Sequence, residues 1–176
     1  MEIEILKVGE LETNCYILIK EGKCLIIDPG DDENFIIKRI KELEIEPIAI
    51  LNTHSHFDHI GSVNRLKEIY GLEVYNHNNL FEGRTSLLPF TFTVIYTPGH
   101  SKDSISFYFE NYEIMFTGDF LFYEDIGRTD LPTSSYYDML NSIEKIKNYD
   151  PEIKIYPGHG PSSTLEHEIK NNTYFQ

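Results

Sequence analysis

Ile48-Ala49-Ile50-Leu51-Asn52-Thr53-His54-Ser55-His56-Phe57-Asp58-His59 runs from a short apolar strand directly into four potential metal ligands within six residues. In layered α/β proteins the edge just past the C-terminal ends of the strands is where ligands bind. His54 and His56 stand at i and i+2, so their side chains point the same way on extended chain. Asp58 and His59 follow as the chain turns and face the same space from another side. One loop can therefore serve two neighbouring metal ions, and neutral imidazole with carboxylate suits Zn²⁺, Fe²⁺ or Mn²⁺. With seven histidines in 176 residues, the pattern H-x-H-x-D-H is expected by chance roughly 6 × 10⁻⁴ times per chain.

Outward from this stretch the same arrangement recurs. Cys24–Ile27 reads as a strand and ends at Asp28; Phe92–Tyr96 ends at Thr97-Pro98-Gly99-His100. Ser104–Phe109 and Glu113–Phe116 read as a hairpin across Asn111-Tyr112, and its second strand ends at Thr117-Gly118-Asp119. Ile153–Tyr156 ends at Pro157-Gly158-His159-Gly160, where two glycines let a side chain approach a ligand closely. Asp28, His54, His100, Asp119 and His159 thus share one position, the end of an apolar strand. His77 and His167 fit no such position and read as surface or structural residues.

Further strands are expected at Ile3–Val8 and Cys15–Ile19, the latter joined to Cys24–Ile27 by a tight turn at Glu21-Gly22. Helices are expected from Asp31 or Asp32, with Phe35, Ile36, Ile40 and Leu43 on the apolar face. Others carry Val63, Leu66, Ile69 and Tyr70 up to a stop at Gly71, and Met139, Leu140, Ile143 and Ile146 within Tyr136–Asn148. A last helix is expected over Leu165–Lys170. Strands and helices are interspersed, and no linker or low-complexity segment divides the chain. The expectation is one α/β (α+β) domain over 1–176.

Composition limits the function classes. With 40% hydrophobic and 25% charged residues, the chain can build a packed core. Its net charge of −14 argues against a nucleic-acid or anionic-membrane partner, because phosphate backbones are held by Lys and Arg. The segment Met1-Glu2-Ile3-Glu4 lacks the basic and apolar regions of a signal peptide, and no apolar run reaches the roughly 20 residues a membrane span needs. The hairpin register would set Cys15 and Cys24 far apart, so no disulfide is expected, and two free thiols suit a reducing cytoplasm.

Thr13-Asn14-Cys15-Tyr16, Ile27-Asp28-Pro29-Gly30, the His54–His59 stretch, Thr97–Ser101, Gly118-Asp119, Gly127-Arg128-Thr129-Asp130 and Pro157–Gly160 together resemble the metallo-β-lactamase superfamily. Within it the chain is similar to the glyoxalase II-like hydrolases, over nearly its whole length. The resemblance implies a four-layer αβ/βα sandwich with its site on one sheet edge. It implies that His54, His56 and His100 bind one divalent metal and Asp58, His59 and His159 a second, with Asp119 bridging. Zinc is the first expectation, iron or manganese the alternatives. A hydroxide between the metals would be the nucleophile, with Asp58 and Asp119 the catalytic carboxylates. Asp28 would orient a histidine or the motif loop from outside the ligand ring, and Arg128 and Asp130 would support the site from a nearby loop.

The expected reaction is hydrolysis of a small thioester, since a thiolate leaves without a strong general acid. Glyoxalase II itself carries a C-terminal helical region that holds glutathione; this sequence ends at Gln176 and has a short His77–Phe92 segment, so an open site and a broader thioesterase are expected. Persulfide dioxygenases are the alternative: they share the Gly-Arg-Thr-Asp stretch and use one Fe²⁺, here on His54, His100 and Asp119. Nucleic-acid processing, known elsewhere in the superfamily, sits badly with the charge. A purely structural metal module sits badly with a site free of cysteine. Oligomeric state has no signature in the sequence.

Overall fold

The computed structural model describes residues 1–176, arranged as two mixed sheets with helices on their outer faces. The first sheet has the order β1-β2-β3-β4-β5, from β1 (Glu2–Val8), β2 (Thr13–Lys20), β3 (Lys23–Ile27), β4 (Glu46–Leu51) and β5 (Glu73–Tyr75). Glu21 and Gly22, both at positive φ (54° and 73°), make the tight β2–β3 turn and set Ile19 opposite Cys24. The parallel β3–β4–β5 joins are made by helical crossovers through α1 (Glu33–Glu42), then α2 (Phe57–Ile60) and α3 (Val63–Tyr70).

The second sheet follows with β6 (Gly83–Leu87), β7 (Phe90–Tyr96), β8 (Ile105–Phe109) and β9 (Ile114–Gly118). A small hairpin, β10 (Leu121–Phe122) with β11 (Asp125–Ile126), precedes α4 (Tyr136–Ile146). β12 (Lys154–Pro157) then returns parallel to β9, and β13 (Ser163–Thr164) and α5 (Leu165–Asn171) close the chain, giving the order β13-β12-β9-β8-β7-β6.

The period-2 alternation of the strands creates the layers. Tyr16, Leu18, Leu25, Ile27, Ala49 and Leu51 face inward and meet Phe90, Phe92, Val94, Phe107 and Phe116 of the other sheet. Their alternates Cys15, Ile17, Cys24, Ile26 and Ile50 face outward against Ile36, Ile37, Ile40 and Leu66 of α1 and α3. On the far side Ile95, Met115 and Ile155 meet Met139, Ile143 and Ile146 of α4. This is the four-layer αβ/βα sandwich. Each large apolar side chain so buried contributes about 1.5–3 kcal/mol. No helix is long and apolar enough to cross a membrane.

Three helix faces differ from expectation. Phe35, Ile69 and Leu140 are exposed, while Ile37 and Ser142 are buried. Ser142 is accepted into the α4 interface because its hydroxyl donates to Pro98 O at 2.7 Å. Asp32 is the N-cap residue of α1, but its side chain makes no capping bond; its carboxylate accepts from Gly9 N at 2.9 Å. Five strands, β3, β4, β7, β9 and β12, end at one edge of the sandwich, and the polar loops after them build the site.

Candidate metal centre

After β4 the chain bends at Thr53, is extended at His56 (φ −64°, ψ 145°) and then enters the single turn of α2. His54 and His56 therefore reach the cleft from the loop between β4 and α2, and Asp58 and His59 from the helical turn. Asp28 ties the loop down. Its Oδ1 accepts from Thr53 N at 2.8 Å, and its Oδ2 from Thr53 Oγ1 at 2.6 Å. The same Oδ2 lies 3.0 Å from His59 Nδ1. Asn52 Nδ2 adds a bond to His59 O at 3.1 Å.

Three groups of candidate ligands converge: His54, His56 and His100; His54, His59 and Asp119; Asp58, His59 and His159, the ligand atoms of each lying within 4.8 Å of one another. His100 Nε2 is 2.9 Å from His56 Nδ1. Asp119 spans the groups, with Oδ1 3.2 Å from His59 Nε2 and Oδ2 3.5 and 3.6 Å from the Nε2 atoms of His100 and His159. Asp58 Oδ2 is 3.2 Å from His159 Nε2 and 3.5 Å from His59 Nε2. All seven expected ligands are thus brought together around one cleft.

Four imidazoles are also held at their far nitrogen. Nδ1 of His54 meets Thr53 Oγ1 (3.1 Å), that of His59 meets Asp28, that of His100 meets Arg128 O (3.0 Å) and that of His159 meets Leu11 O (3.0 Å). Outer bonds of this kind fix the tautomer and leave Nε2 free to ligate.

The chemistry of the donor set fits a cation. His54 Nε2, His59 Nε2 and Asp119 Oδ1 are buried without a hydrogen-bond partner; the last two are near each other but not aligned for a bond. A buried polar atom left so costs about 1–3 kcal/mol, and divalent cations would satisfy all three. The titration behaviour agrees. Burial alone would raise the Asp58 carboxyl, yet the His159 hydrogen bond and the His59 charge hold it at about 2. Asp119, against its burial, is likewise kept well below the usual carboxylate range by His59 and then His54. Burial works against charging His59, but Asp28 and Asp119 override it and push its pKa up to about 10. His54 goes the other way, far below an ordinary imidazole, through burial and the charge of His59.

The cleft above these residues has a volume of about 660 Å³, with Leu11, Phe57, Arg128 and Leu131 on its rim. Phe57 is 75% exposed. Arg128 and Asp130 support the site through the backbone of one of them rather than through their side chains. Their side chains are exposed and bind each other, at 2.6 and 2.8 Å, and the only support from this pair to a histidine is the Arg128 carbonyl on His100. His77 and His167 lie away from the cleft, His77 against the Tyr96 ring and His167 between Tyr123 and Glu124. The outer contacts from Thr53, Leu11 and Thr13 add to what the sequence implies. Thr13 belongs to the Thr13–Tyr16 motif and could have been found there, whereas a backbone carbonyl such as that of Leu11 has no residue-type signature.

Comparison with known proteins agrees with this geometry. The model of the metallo-beta-lactamase superfamily matches residues 8–85 and 78–159. A probable metallo-hydrolase of Bacillus subtilis, YqgX, is 34% identical over 95% of this chain and 94% of its own. The hydroxyacylglutathione hydrolase GloC of Haemophilus influenzae is 32% identical over 99% of this chain and 98% of its own. Among solved structures, the BLEG-1 B3 metallo-beta-lactamase superposes with a TM-score of 0.95 at 31% identity, covering 99% of both chains.

Proposed function

The chain belongs to the metallo-beta-lactamase superfamily, and from that premise we propose that it is a two-metal hydrolase of small thioesters. Its metallo-hydrolase relatives support the hydrolase; the metal count and the thioester are our reading. The observation that carries it is the Asp119 carboxylate, whose two oxygens face different histidines across the cleft while Oδ1 stays unsatisfied.

His54, His56 and His100 would hold one divalent ion, Asp58, His59 and His159 the other, and Asp119 would join them. Zinc suits this donor set best, with iron or manganese compatible. When bound, the pair of ions would supply hydroxide at neutral pH and draw charge from the substrate carbonyl oxygen. The rest is done by the chain itself. Asp28 and Thr53 keep the motif loop and the His59 ring in place. The rim residues Leu11 and Phe57 offer an apolar wall to an acyl or thiol arm. The leaving thiolate needs no strong proton donor; beside the ligands, the cleft offers only the weakly acidic hydroxyls of Ser55 and Thr133 and the guanidinium of Arg128.

The partner is a small molecule; the −14 charge supports neither nucleic acid nor an anionic membrane. A mononuclear iron oxygenase on His54, His100 and Asp119 would use His56, Asp58, His59 and His159 only to support its ligands, whereas the two-metal reading uses all four as ligands, and their donor atoms converge on the same centre. The test is metal analysis of the purified protein with thiol release from a panel of acyl thioesters. His59→Ala should reduce about two metals to about one and abolish hydrolysis at any oxygen level. One bound iron together with O₂ consumption on a persulfide would defeat the proposal.

A further inference from the structure

His159 sits between Gly158 and Gly160, the latter at φ +76°, so its own backbone does little to hold it. It is gripped instead from the opposite half of the sandwich. Asn14, 2% exposed at the start of β2, donates through Nδ2 to Pro157 O (2.9 Å) and Gly160 O (3.0 Å), and through its backbone N–H to Gly158 O (2.7 Å). Tyr16 OH adds a bond to Pro157 O at 2.5 Å. Both side-chain partners of Asn14 are carbonyls that can only accept, so the amide orientation is forced. Its Oδ1 is left buried without a partner. A fully buried amide that satisfies its neighbours better than itself is shaped for them. The same segment also touches two residues of that half-site directly: Leu11 O takes the His159 Nδ1 bond and Thr13 Oγ1 lies 3.3 Å from Asp58 Oδ2. No hydrogen bond joins Asn14 to His54, His56 or His100.

We infer that Asn14 is the positioning residue of the Asp58–His59–His159 half-site, clamping the Pro157–Gly160 turn so that His159 reaches the cleft. The inference rests on the two-metal reading above. Asn14 touches no ligand atom; it acts by holding carbonyls on both sides of His159. Loosening it should therefore affect one half-site and spare the other, a split that general destabilisation would not produce.

Asn14→Asp keeps the shape and turns two donated bonds into carboxylate–carbonyl repulsion. Tyr16→Phe removes one bond to the same turn and leaves the core filled, so it decides the matter should Asn14→Asp not fold. Two measurements are made on the full chain. Hydrogen exchange of the peptide spanning 157–160, without metal, should speed up at least about tenfold in Asn14→Asp and less in Tyr16→Phe. Zinc titration against a chromophoric chelator should show one of two equivalents weakened about 10–100-fold and the other unchanged within twofold. His56→Ala should weaken the opposite equivalent, and the double variant should show both equivalents weakened. Equal weakening of both equivalents, weakening of neither, or unchanged exchange in the turn would overturn the inference. If the wild-type protein binds a single equivalent, the two-metal reading fails, while the exchange data still decide whether Asn14 clamps the turn.

Discussion

Gly158→Ala adds one methyl group at the most crowded point of the site. A Cβ there would lie 2.2 Å from Asp119 Oδ1, 2.7 Å from His59 Cε1 and 3.1 Å from the Gly118 carbonyl carbon. Ordinary heavy-atom contacts begin near about 3.5 Å, so the carboxylate or the imidazole must move by about an ångström. Gly158 is not at positive φ, so alanine meets no backbone penalty and the effect is purely steric. Overpacking of this kind costs about 1–3 kcal/mol, which lowers Tm by about 2–12 °C in a chain of this size. Displacing a group at a reacting centre by about 1 Å costs about 10²-fold in rate. The control is Gly160→Ala: nothing lies within 4 Å of its Cβ, but φ is +76°. That backbone strain costs roughly 1–2 kcal/mol, a similar loss of Tm without intrusion into the site. Thioester hydrolysis read by thiol release, with metal content and thermal melts, should therefore show about a hundredfold loss in kcat/KM for Gly158→Ala and less than about tenfold for Gly160→Ala. Activity within threefold of wild type in Gly158→Ala, with both metals bound, would refute the placement of Asp119 and His59. Equal losses in the two variants would mean that turn mobility, not the methyl, is responsible.

His77→Gln and His167→Gln should leave the metal content unchanged, since both rings lie outside the ligand cluster; a lost equivalent in either would show a misassigned ligand. Glutathione should matter little to turnover, because the one cation on the cleft, Arg128, is already paired with Asp130, and its two carboxylates need several donors. A strong micromolar preference for lactoylglutathione over other acyl thioesters would contradict this. In the metal-free protein His59 is raised to about 10. Its contribution to stability is full below about pH 6.5 and lost as pH rises through about 10. The metal-free melting temperature should fall between pH 7 and pH 10, whereas a flat profile would deny that His59 is charged between Asp28 and Asp119.

The layers and the site edge are legible in the sequence because they rest on residue type and period. Tyr16 and Leu18 against Cys15 and Ile17, or Leu25 and Ile27 against Cys24 and Ile26, sort themselves to two faces by alternation alone. The seven candidate ligands stand out because imidazole and carboxylate gathered past the ends of apolar strands suit little else than a cation. The features that escape the sequence depend on tertiary context. β6 (Gly83–Leu87) has no apolar run, being an edge strand whose pairing with β7 comes from register rather than burial. Leu140 and Ser142 exchange their expected roles because a carbonyl of Pro98 awaits a hydroxyl. Arg128 draws the eye for its side chain, whereas its carbonyl is what reaches His100.

Asp28 shows how the two kinds of information meet. Its position after a strand marks it as part of the site, and residue type alone leaves open whether it serves a histidine or the loop. The backbone answers: Asp28 is at φ +50°, a left-handed conformation that a non-glycine residue adopts at a cost of order 1–3 kcal/mol. That turn carries the carboxylate back beneath the β4 loop, where it takes Thr53 N, Thr53 Oγ1 and His59 Nδ1 together. Three bonds to a buried carboxylate offset the strain, so one residue both anchors the loop that presents His54 and His56 and turns the ring of His59. Asn in its place could not accept all three bonds, because its nitrogen would face a donor. The fold thus places local strain where one carboxylate can align candidate ligands on both sides of the cleft.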